Sequence, residues 1–354
     1  AVLAFDLIES GTYLFSVSYT GSDNKTYTKD ISFTPNSSTK ILNVRRDHSV
    51  RENNKVSLKL SAPIDPLNGN VVAGNYTNVK WDQTGGPSIT LDADNTNPLT
   101  AIFKAPSVAK DSLISFSVSA THPNGQIYTD NAYVLVQNTV GISSNAVFDQ
   151  PVAKVTAFNP NSAYAQSLEK CIYANYFSTP CSIDEINLIG QDHSNPTVND
   201  IMDRVIVSHP WMGENFKRFL ENEDSHGDFK LMLRSVSAIV ISYDIRPSFY
   251  WGDIGAIYLD PENLWLTPVQ RDTIDVAPDY RGAFGQELQY IMPWRYVKDN
   301  DYAGSYYPND LRFSRSTADI VPDLAPLLYH ELAHANDIFP SNSFASITEK
   351  TFYN

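Results

Sequence analysis

The sequence predicts a multidomain protein: all-β sandwich material over residues 1–139, then an α+β domain over residues 140–354. Three observations carry that expectation. Short alternating strands separated by Gly, Pro and Asn clusters recur through the first part of the chain. Past Asn138 helical and strand-like stretches mix without a strict strand–helix alternation. Near the C-terminal end, a capped amphipathic helix carries two histidines four positions apart.

Taken in order, residues 1–40 read as a hairpin. Positions 12–19 alternate, Gly21-Ser22-Asp23-Asn24 is turn chemistry, and 27–34 alternate again. Two strands alone are marginal, so this piece is expected to be the C-terminal part of a β domain that starts upstream. The chain opens inside a strand-like run and stops 20 residues after His334, so it reads as a piece of a longer precursor. Residues 41–139 hold strand-like runs at 56–60, 78–82, 101–104, 113–120 and 132–137. Pro66-Leu67-Asn68-Gly69-Asn70 and His122-Pro123-Asn124-Gly125 supply turns between them. Regular strand–turn spacing of this kind predicts a β-sandwich. His48 and His122 read as surface or turn residues.

In residues 140–354 a small polar linker comes first. A helix is expected over 163–173, and two more over 199–207 and 211–223, broken at His209-Pro210. The β-branched run 235–242 and the segment 254–259 read as strands, and 313–322 as loop. The last helix is expected over 324–339, with Asp323 as N-cap, Pro326 in the first turn and Pro340 as the stop. Leu324, Leu328, Leu332, Ala335 and Phe339 form its apolar stripe. That stripe lies about 200° around the helix from His330, at about 3.6 residues per turn.

The chain has 40 acidic against 26 basic residues, a net charge of −14 and a pI near 4.8. That balance argues against nucleic acid, whose phosphates select a basic face, and against electrostatic docking on anionic lipid. No run of about 18 apolar residues marks an integral membrane segment. Cys171 and Cys181 do not form a CxxC pair, which argues against a zinc ribbon. They are either a disulfide in an oxidising compartment or two buried thiols.

Two resemblances add to this reading. Val79-Lys80-Trp81-Asp82-Gln83-Thr84-Gly85-Gly86-Pro87, Phe103-Lys104-Ala105-Pro106 and Phe116-Ser117-Val118-Ser119-Ala120 together resemble a PKD-type immunoglobulin-like domain over about 100 residues. The resemblance implies a packed Trp81, a turn at the QTGGP segment, and a spacer or binding role in bacterial surface and secreted proteins. Residues 1–40 resemble the end of a similar domain.

The second resemblance rests on His330-Glu331-Leu332-Ala333-His334, an HExxH match. Residues four apart share one helix face, so both imidazoles can reach one metal ion, with Glu331 beside them. With the element order before it, this stretch resembles the zincin fold. The resemblance implies Zn2+ held by His330 and His334, and Glu331 as general base for a zinc-activated water attacking a peptide bond. It also implies an edge strand along the cleft, for which residues 255–259 are the candidate; an interior strand is the other reading.

The third ligand stays open between Glu349, Asp337 and a residue beyond Asn354. Asp337 stands where related families place a Gly, and is otherwise read as orienting a histidine or as plain helix surface. The expected function is a secreted, periplasmic or cell-surface bacterial zinc endopeptidase acting on protein or peptide substrate. The alternative is a surface binding or adhesion protein whose zincin-like domain is non-catalytic.

Overall fold

The computed structural model describes residues 11–34, 42–139, 152–174, 181–275, 297–307 and 311–348, apart from a few single positions within those spans. It is rich in sheet, as the strand patterns predict. Strands β1 (Tyr13–Thr20) and β2 (Thr26–Phe33) pair antiparallel from Tyr13↔Phe33 to Thr20↔Thr26. Their alternation puts Tyr13, Phe15, Val17 and Tyr19 on one face with Tyr27, Ile31 and Phe33. Rings stack across the pair at 5.7 Å (Tyr13–Phe33) and 5.2 Å (Tyr19–Tyr27).

The next unit is a sandwich. Its strands are β3 (His48–Arg51), β4 (Lys55–Lys59), β5 (Thr77–Gly85), β6 (Thr100–Lys104), β7 (Ser112–Thr121) and β8 (Ile127–Gln137). One sheet runs β3-β8-β7-β5 and the other β4-β6. Alternate residues of β7 (Ile114, Phe116, Val118, Ala120) face a shared core with Val56, Leu58, Phe103 and Val134. The Trp81 ring is half-buried against that core, and its Nε1–H donates to Pro98 O at 3.3 Å. At the following turn Gln83 Nε2 donates to Pro87 O at 2.6 Å. Gly86 (φ +88°) passes so close to β7 that a Cβ would lie 2.2 Å from Leu113 O, so no other residue fits there. His122 corrects its expected surface role. It is 4% exposed, with Nε2 2.9 Å from Ile64 O, and pins its turn to the 64–71 bridge.

The C-terminal unit opens with β9 (Thr156–Ala157), α1 (Ala165–Ser167) and a π-type turn at Leu168–Ile172. A disulfide joins Cys171 to Cys181, with Cα atoms 5.0 Å apart. Then follow α2 (Ile189–Asp192), α3 (Val198–Met202), β10 (Val205–Val207), α4 (Pro210–Asn222), α5 (Asp228–Met232) and β11 (Ala238–Ile241). The remaining elements are β12 (Phe249–Trp251), β13 (Ala256–Leu259), α6 (Pro268–Arg271), the short pair β14 (Val297–Lys298) and β15 (Asp301–Tyr302), and α7 (Thr317–Ile338).

The sheet order is β12-β13-β11-β10-β9, with β10, β11 and β13 mutually parallel and the outer strands antiparallel. Both faces are covered, which is why the central strands are unbroken apolar runs rather than alternating ones. Val205, Val207, Ile239, Ile241 and Ile257 pack on α4 and α7. Ile206, Val240, Ala256 and Tyr258 pack on the disulfide and Leu168.

Three expectations are corrected here. The helix expected over 199–207 ends at Met202, and 205–207 is instead a strand buried between β9 and β11. The loop expected over 313–322 is largely helix. Helix α7 starts at Thr317, with Ser316 as N-cap: Ser316 Oγ accepts from Asp319 N–H while the Asp319 carboxylate accepts from Ser316 N–H at 2.7 Å. Asp323 is therefore a helix residue rather than the cap. Pro322 and Pro326 lie inside the helix, where each removes one i→i−4 hydrogen bond. Of the two readings left open for 255–259, the interior one holds: β13 is flanked by β11 and β12, and the sheet edge is β12.

The sandwich is docked on the C-terminal unit. Arg45 is 4% exposed and donates to Asp272 O (2.6 Å), Ile274 O (2.9 Å) and, on its own side, Ser57 O (2.6 Å). Arg312 pairs with the Asp272 carboxylate at 2.9 Å. Among the described residues no helix is long and apolar enough to cross a membrane.

Candidate metal centre

The site is built on the C-terminal half of α7. Leu324, Leu328, Leu332, Ala335 and Phe339 are buried, as their spacing predicts, and they fix the helix's rotation on the sheet. His330 and His334 fall on the opposite, exposed face. Their Nε2 atoms are 3.3 Å apart and their rings are perpendicular, with centroids 4.9 Å apart. Two nitrogens bound to one tetrahedral Zn2+ at about 2.0–2.1 Å stand about 3.3–3.4 Å apart. The separation equals that of a chelating pair and also that of a hydrogen bond between the two rings.

Glu331 is buried, at 7% exposed. Burial pushes its carboxyl above the usual carboxylate range; the neighbouring His330 and His334 and a main-chain hydrogen bond from Tyr250 pull it back. Tyr250 is the middle residue of β12, so the edge strand and the general-base candidate are in direct contact. Sequence reasoning missed this strand. The signal was there as three consecutive aromatics, Phe249-Tyr250-Trp251, a β-favouring run too short to show a period.

Buried Ser235 and half-buried Asn336 lock the end of α7. Asn336 Nδ2 donates to Met232 O (3.0 Å) and to Leu332 O (2.7 Å). Ser235 Oγ lies 2.9 Å from Asn336 Oδ1 and 2.8 Å from Phe339 O. The loop leading into β11 thereby holds the helix at the turn that follows His334.

Asp337 lies exposed on the helix surface. Glu349 lies outside the described residues. Among the described residues no group of three His, Cys, Asp or Glu side chains is placed to hold a metal, so Asp337 does not complete the pair. The donor set present fits zinc with two of its ligands. His209 and His193 belong to other surroundings: His209 Nδ1 is 3.0 Å from Ser208 Oγ, and His193 Nε2 is 3.9 Å from Asp200 Oδ1. Asp299 and Asn300 form the tight turn between β14 and β15, both with positive φ.

No family model matches the chain, and no curated protein matches it. Among solved structures, a 2,6-sialyltransferase from Photobacterium sp. JT-ISH-224 aligns at 19% identity and a TM-score of 0.20, over 26% of this chain and 17% of that one. The chain therefore spans less than a fifth of that enzyme's length. A PKD domain from the KIAA 1837 protein aligns at 16% identity and a TM-score of 0.22, over 31% of this chain and 98% of its own. CopC from Methylosinus trichosporium OB3b aligns at 15% identity and a TM-score of 0.14, over 27% of this chain and 89% of that one. Scores of this size assign neither fold nor activity.

Proposed function

We propose that the chain is a zinc-dependent endopeptidase whose zincin-like C-terminal domain follows PKD-like immunoglobulin-type domains. The observation that carries the reading is the 3.3 Å separation of His330 and His334 Nε2 on one exposed helix face, with Glu331 between them in sequence. When bound, Zn2+ supplies Lewis-acid activation of water and of the scissile carbonyl. His330 and His334 hold it. Glu331, fixed by the Tyr250 main chain, takes a proton from water at its carboxylate and returns it to the leaving amine. The disulfide fits a secreted, periplasmic or cell-surface setting.

The test is zinc content per chain together with hydrolysis of a mixed peptide pool, on wild type, His330→Ala and Glu331→Gln. The reading expects about one zinc in wild type, loss in His330→Ala, and retained zinc with activity lost by several orders of magnitude in Glu331→Gln. Hydrolysis unchanged in Glu331→Gln sinks it.

A second reading draws on the absence of a third ligand among the described residues. In it the two imidazoles share a hydrogen bond and the domain serves recognition only. Zinc absent from both wild type and His330→Ala, with no hydrolysis, selects this reading.

A further inference from the structure

We draw no further inference here: the strongest candidate, the exposed apolar face that Val17, Tyr19, Tyr27, Ile31 and Phe33 present on the β1–β2 hairpin, carries nothing because nothing in the structure shows what covers it.

Discussion

His209 sits half-buried at the N-cap of α4, its ring 6.0 Å from that of Tyr243. Burial first, and then the Arg45 guanidinium, hold its pKa down to about 4. An unfolded histidine takes its proton near pH 6.5. Between those values the unfolded chain binds more protons than the folded one, so stability is full above about pH 6.5 and drains away as pH falls toward about 4. The loss reaches about 3 kcal/mol at most. Urea midpoints at pH 7 and pH 4.5 should therefore differ less in His209→Asn than in wild type; an equal acid loss would refute the assignment. Leu332, fully buried on the helix face opposite the two histidines, should cost about 2–5 kcal/mol as Leu332→Ala, read from the denaturation midpoint. Single residues were also where the sequence was most legible. The i, i+4 spacing of His330 and His334 and the opposed apolar stripe follow from helical geometry alone. The hold of Tyr250 on Glu331 does not, because it joins residues 81 apart through a main-chain group that no side-chain pattern records.

At the scale of elements, α7 shows how a correct motif can carry a wrong boundary. Pro326 read as a first-turn residue and Pro322 as the end of a loop, yet both lie within the helix. The true start was written in Ser316-Thr317-Ala318-Asp319, a capping-box spacing outweighed by the prolines downstream. Ser316→Ala should cost about 1 kcal/mol, read from the shift in chemical-denaturation midpoint. Ser235→Ala should cost about 1–3 kcal/mol, since it removes the one hydroxyl proton that the Phe339 carbonyl and the Asn336 Oδ1 share. A midpoint unchanged in that variant would show that the clasp does not bind the helix end. The short strands escaped for a different reason. Val205–Val207 and Phe249–Trp251 have three residues each, and their identity as strands comes from partners far along the chain. The β7–β8 hairpin, local and alternating over its whole length, was legible.

At the scale of the whole molecule, the division into a β-rich front and a mixed α/β rear was visible in turn spacing, and the seam between them was not. That seam includes Arg45, one cation that nothing in the sequence separates from other arginines. Removing it as Arg45→Ala leaves the Asp272 and Ile274 carbonyls without their donor and should cost about 3 kcal/mol for the charged hydrogen bonds lost. A calorimetric trace of the variant should then resolve two transitions, against an expected single one for wild type; one unchanged peak would refute the coupling. The same contact also governs how the molecule turns in solution. Two beads on a loose string rotate at two rates, whereas units joined by a buried guanidinium share one rotational correlation time. The face of α7 bearing His330 and His334 thus keeps a constant bearing relative to the sandwich, and a protein approaching that face meets it from one fixed direction.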